Sequence, residues 1–131
     1  MVTLTFADIA KYRSAFSSQD DALFVLDVIE DCAGDLEDAA ISLALKVGQE
    51  PSTSGNWLEG LAKRWRTTLC QTSFLTALDR EDYGVALSLL LEYTLLSSTL
   101  ALPVMIYVDQ SGSQQFCEPL KEQLNPNGYT S

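Results

Sequence analysis

Side chains able to do chemistry near neutral pH are few in this chain, and one type is missing. There is no histidine. That excludes Ser–His and Cys–His catalytic pairs, histidine zinc and haem ligands, and the Glu-x-x-His motif of di-iron bundles. Carboxylates are what remains. Eight acids and no base lie between Asp20 and Asp38. Asp27, Glu30 and Asp31 fall at i, i+3 and i+4, so a helix would present all three on one face. Such a face could hold Mg²⁺ or Ca²⁺, or supply a general acid and base. This supports a carboxylate-based metal-dependent or small-molecule enzyme as the alternative functional reading. The plainer reading is a solvated acidic face, and the spacing does not match an EF-hand loop.

Cys32, Cys70 and Cys117 are odd in number and widely spaced, with no C-x-x-C. They suggest no disulfide framework, and small core residues in a reducing cytoplasm are the expectation. A cysteine nucleophile would need a base that the sequence does not supply. Neither a dinucleotide-binding glycine motif, a P-loop nor a G-x-S-x-G elbow is present, and no cofactor is expected.

The opposite charge concentrates in Lys63-Arg64-Trp65-Arg66, which holds three of the eight basic residues. With Trp57 nearby, Lys63, Arg64 and Arg66 form a candidate partner-binding patch for an acidic protein surface or a phosphorylated ligand. Alternatively the two tryptophans are core and the bases pair with the acidic segment, within the chain or across a dimer. The net charge of −10 argues against general nucleic-acid binding, which relies on cations meeting phosphates.

The elements that position these groups read as helices. Thr5 with Asp8 suits the start of a first helix along Phe6, Ile9, Ala10, Arg13 and Phe16. Ser18 precedes a second, from Asp20 to Ala33, with Gly34 beyond its end. Asp35 caps a third, from Leu36 to Val47. Gln49 to Gly55 is a loop. Asn56 and Glu59 have capping-box spacing ahead of the stripe Leu58, Leu61, Ala62, Trp65 and Leu69. A last short helix is expected between Gln114 and Leu124, with Pro119 forcing a break or a late start, and residues 125–131 are expected to be a flexible tail.

The most apolar stretch runs from Val85 to Val108, with Glu92 as its single charge and eight leucines. Its length would span a bilayer, giving a membrane-associated protein as a third reading. Against this stand Glu92, the Ser97-Ser98-Thr99 interruption and the lack of flanking basic residues. Two buried elements fit better. A central helix from Tyr83 to Leu96 is apolar nearly all round, which places it at the centre of a bundle with Glu92 partly buried and in need of a partner. The segment from Leu100 to Asp109 reads as a second helix, capped by Thr99 with Pro103 in its first turn. A buried strand is the other reading of that segment.

The run from Asp35 to Gly48, DLEDAAISLALKVG, followed by Asn56 to Arg66, NWLEGLAKRWR, resembles small uncharacterised all-helical proteins of cyanobacteria. The resemblance covers about a quarter of the chain. It implies an all-α cytoplasmic domain and carries over no activity and no site residue. The sequence therefore predicts a single all-α domain over residues 1–131, a multi-helix bundle around Tyr83 to Leu96. The leading function is a soluble, non-enzymatic protein-interaction module that binds a protein partner or itself as a homodimer. Neither nucleic acid nor membrane is an expected partner.

Overall fold

The computed structural model describes residues 2–51 and 56–124, with side chains through Leu120. Nine helices, and no strand, are present among the described residues: α1 (Phe6–Ala15), α2 (Asp20–Asp31), α3 (Leu36–Lys46), α4 (Trp57–Arg64), α5 (Arg66–Leu69), α6 (Thr72–Asp79), α7 (Tyr83–Tyr93), α8 (Ser98–Ser111) and α9 (Ser113–Leu124). The all-α multi-helix bundle is as expected. Part of the Gln49 to Gly55 loop and the 125–131 tail fall outside the described residues.

The bundle axis is not the helix that the sequence favours. Leu100, Ala101, Leu102, Pro103, Val104, Met105, Ile106 and Val108 are all buried on α8, and α2, α3, α4, α7 and α9 pack around it. Helix α7 is one-sided. Tyr83, Ala86, Leu87 and Leu90 form an i, i+3, i+4, i+7 stripe turned inward, whereas Val85, Ser88, Leu91 and Glu92 are exposed. Glu92 therefore needs no buried partner. Both helices are apolar on most sides, but a small bundle has room for one helix surrounded by others.

The residues 94–97 separate the two. The Thr94 hydroxyl donates to the Leu90 carbonyl at 2.6 Å and accepts from the Leu96 N–H at 3.2 Å, closing α7. Ser97, rather than Thr99, then caps α8 by accepting from the Leu100 N–H at 3.2 Å. Pro103 consequently sits inside the helix, past its first turn. There it removes the N–H that would reach the Thr99 carbonyl, one bond in an otherwise buried helix. Pro119 lies inside α9 in the same way and does not interrupt it.

Local caps form where the sequence places them. Thr5 and Asp8 exchange backbone–side-chain bonds in a capping box, and Asp35 accepts from the Asp38 N–H. Helix α2 instead starts after Gln19, with no side-chain cap. Helix α1 buries Ile9, Tyr12 and Phe16 and leaves Phe6 exposed, so its inner stripe differs from the expected one. At α4, Asn56 makes no cap bond. Glu37 of α3 replaces it, accepting from the Leu58 N–H at 2.9 Å and the Glu59 N–H at 3.1 Å. Glu37 is buried, at 6% exposure, so its carboxylate satisfies two otherwise orphaned donors and pins α4 against α3. The expected continuous stripe to Leu69 breaks at Trp65, which ends α4 and precedes α5.

The N-terminal segment is held by Leu4 N–H to Gly34 carbonyl and Leu36 N–H to Val2 carbonyl bonds, at 2.8 and 3.1 Å. Gly34 has φ +82°, and a Cβ there would overlap the Leu4 carbonyl oxygen. Gly34→Ala combines a left-handed backbone with a clash against main chain, and is expected to cost about 2 kcal/mol. Urea unfolding of the two proteins measures this; equal midpoints would show that the segment docks without needing glycine.

Cys70 and Cys117 are joined in a disulfide with Cα atoms 5.8 Å apart, across a separation of 47 residues. Cys32 remains free and half-buried. The expectation of three unpaired core cysteines thus fails for two of them, because only the docking of α9 beside α5 brings this pair together.

Candidate functional site

The acidic triad on α2 is paired, but not with the basic run of α4. Arg13 of α1 places one Nη2 at 2.8 Å from both Asp27 and Glu30. Asp31 has no ion-pair partner among the described residues. The same residues hold no group of three or more Cys, Asp or Glu side chains arranged to grip a metal ion. The Cys32 thiol is pushed up by burial and then by the carboxylates of Asp38, Asp35 and Asp31. It stays protonated and is a poor nucleophile.

Helix α4 divides the four basic and aromatic candidates between two surfaces. Trp57 and Arg64 line a depression of about 460 Å³ with Gln49, Glu50, Gly60 and Leu61. Lys63 and Arg66 line another, of about 320 Å³, with Tyr107, Ser111 and Phe116. In the second, Lys63 pairs with Glu59 at 3.1 Å, and the Arg66 guanidinium lies 4.9 Å from the Phe116 ring centre. On α4 the helix period explains the split, positions 57, 61 and 64 sharing one side and 59 and 63 the other, while Arg66 lies past the break at Trp65, at the start of α5. Trp57 and Trp65 both pack partly against the core.

A polar cluster joins α1, α7 and α8. The buried Tyr12 hydroxyl donates to Asp109 and accepts from the Gln110 amide at 3.1 Å. Its ring meets Tyr83 edge-on at 5.0 Å, and Lys11 lies 5.0 Å from the Tyr12 ring and 3.8 Å from Asp109. Burial, followed by the Asp109 bond, raises the Tyr12 pKa far above its ordinary value. Burial also raises Tyr83, and Tyr107 together with Glu59. For Lys11, burial opposes the charge, but Tyr83 and Asp109 outweigh it and leave the pKa raised. Groups with folded pKa values above their unfolded ones lend stability that is complete below the unfolded pKa and is lost as pH rises. Unfolded cysteine and tyrosine titrate near pH ~8.5 and ~10, so the denaturation midpoint is expected to begin falling above about pH 8 through Cys32 and to fall more steeply above about pH 10. Tyr12→Phe should fall less steeply in the upper range, with Tyr83, Tyr107, Lys11 and Cys32 supplying the rest. Identical slopes for the two proteins would contradict this account.

The surface that sequence reading misses is α7's outer side. Val85, Leu91, Tyr93 and Leu95 are 55%, 42%, 62% and 92% exposed. Beside them, Thr68, Gln71, Ser73, Phe74, Leu89, Leu90 and Tyr93 line a mainly apolar groove of about 530 Å³. The signal was present as two neighbouring apolar helices competing for one central place. No residue that lines the groove is charged, whereas Glu92 is exposed on the outer side of α7 and Asp79, Arg80, Glu81 and Asp82 are exposed just before it. No described helix is long and apolar enough to cross a membrane. The chain matches no protein-family model, no curated protein and no solved structure.

Proposed function

We propose that this chain is a non-catalytic protein-interaction module that self-associates through the outer face of α7. The observation that carries this reading is the exposure of Val85 and Tyr93 on α7, and of Leu95 just past its end, with Tyr93 itself lining an open, mainly apolar groove. Such patches mark association surfaces more often than isolated exposed leucines do. A second copy is the occupant that charge favours. Two chains of net charge −10 repel wherever acids face one another, and least along a groove whose lining carries no charged side chain. Burial of apolar area supplies the attraction, at roughly 25 cal/mol per Å² before the cost of association.

Sedimentation equilibrium tests this. Wild type is expected to form a dimer that strengthens with added salt, because screening weakens repulsion and leaves apolar burial intact. Pairing of the acidic α2 face with Lys63, Arg64 and Arg66 across a dimer predicts the reverse. Tyr93→Asp with Leu95→Asp alters exposed positions, so it should leave the fold intact and weaken the dimer by at least about tenfold, through added repulsion and lost burial. A wild type that stays monomeric at millimolar concentration, or a variant that associates as before, overturns the proposal. Retention of a different protein by monomeric wild type would assign the face to another partner.

A further inference from the structure

We infer that the Cys70–Cys117 disulfide is a redox latch that holds α9 in place and sets the shape of the α7 docking groove. The second half of this inference rests on the proposed function above. Helix α9 packs against α8 and α5. Of its residues 113–120, Phe116 and Cys117 are buried, and the rest are half-buried or exposed. Among the described side chains its buried hold on the bundle is Phe116 and Cys117, the second through the disulfide itself, with Leu120 half-buried beyond them. Phe116 is seated between Tyr107, edge-on at 6.3 Å, and the Arg66 guanidinium. The Arg66 Nε is buried without a hydrogen-bond partner among the described residues.

The other end of the bond lies in the groove wall. Cys70 follows the four-residue helix α5 and precedes Gln71, which starts the turn into α6. Thr68 and Gln71, two and one positions from Cys70, both line the groove beside α7. A helix of one turn has almost no stability of its own; buried Leu69 and packing against α4, α6 and α7 hold α5, and the cross-link adds a covalent tie that narrows where this rim can sit. Cys70 is only partly buried whereas Cys117 is 3% exposed, which makes the Cys70 sulfur the one that a reductant reaches.

A small dithiol supplies the two electrons. Its thiolate attacks Cys70 Sγ, the S–S bond breaks, and Cys117 leaves as a thiolate. The second thiol of the reductant then displaces Cys70 from the mixed disulfide. Both cysteines end protonated and the reductant ends as its own disulfide. With the bond open, α9 loses its covalent tie to the bundle. It undocks, and the rim at Thr68 and Gln71 loses that restraint.

The test compares full-length protein oxidised, treated with dithiothreitol, and as Cys70→Ser with Cys117→Ser, by hydrogen exchange and sedimentation equilibrium. Reduction is expected to speed amide exchange in α9 at least tenfold while the α8 amides stay slow, and to weaken the dimer several-fold. Re-oxidation should restore both in wild type, and the serine variant should show the reduced behaviour whatever the reductant. Unchanged exchange in α9 overturns the latch. Faster exchange with unchanged dimerisation overturns its control of the groove. Absence of dimer in every state overturns the proposed function, and exchange in α9 alone then decides the latch. Loss of protection in α8 as well would mean that the bond supports the whole fold, which also overturns the latch.

Discussion

Leu102→Ala is expected to destabilise the protein by about 2–5 kcal/mol, whereas Leu91→Ala should change it by about 0.5 kcal/mol or less. The same truncation is made eleven residues apart in the same apolar run. Leu102 is 1% exposed on α8, at the meeting point of the surrounding helices. Removing its side chain loses transfer free energy and leaves a cavity that a close-packed bundle closes only in part. Leu91 is 42% exposed on the outer side of α7, where truncation leaves no cavity. Thermal or urea unfolding at a concentration too low for association separates the two. Comparable losses for both would place α7 back at the centre.

Glu37→Ala is the second large effect, about 3 kcal/mol. The carboxylate accepts from two N–H groups of α4, at 2.9 and 3.1 Å, from a buried position on α3. Bonds to a charged group contribute roughly 1.5–3 kcal/mol each, and truncation leaves two donors without partners. Glu37→Gln keeps one acceptor oxygen and should lose about half as much. Asn56→Ala should cost almost nothing, since Asn56 makes no cap bond. These three variants in one urea series check the assignment; a larger loss at Asn56 than at Glu37 would restore the local cap.

Those two results mark where the sequence is legible and where it is not. Thr5 with Asp8, and Asp35 with Asp38, are readable because donor and acceptor lie three residues apart. The Asn56 and Glu59 pattern is equally local but is overridden by Glu37, whose partner is 21 residues away. The run from Leu100 to Asp109 reads as helix over strand only because no other stretch offers a strand partner. Its central place is not legible, because α7 carries four leucines to the two of α8 and only packing decides which helix is surrounded. The α2 acids face Arg13 rather than the denser basic run of α4, since helix α1 is the neighbour that the fold supplies. Lys63 and Arg66 stand beside Trp57 and Arg64 in the sequence, but helical phase turns Lys63 away from Trp57 and Arg64, and the break at Trp65 puts Arg66 on α5. Cys70 and Cys117 carry no spacing signal, and their meeting depends on α9 crossing to α5. The α7 face follows from the same competition: once α8 takes the axis, the outer leucines of α7 must meet solvent or another chain.

Carbene footprinting of wild-type protein across a concentration series tests the docking role of α7 most directly, because it reads side-chain exposure residue by residue without any substitution. Val85, Tyr93 and Leu95 should be heavily modified in dilute solution and lose most of that modification as the dimer forms. Phe6 and Leu45, exposed at 84% and 63% elsewhere on the bundle, should be modified equally at every concentration. Unchanged modification of the α7 residues through a rise in mass, or protection that appears at Phe6 or Leu45 in their place, would contradict the assignment of this face.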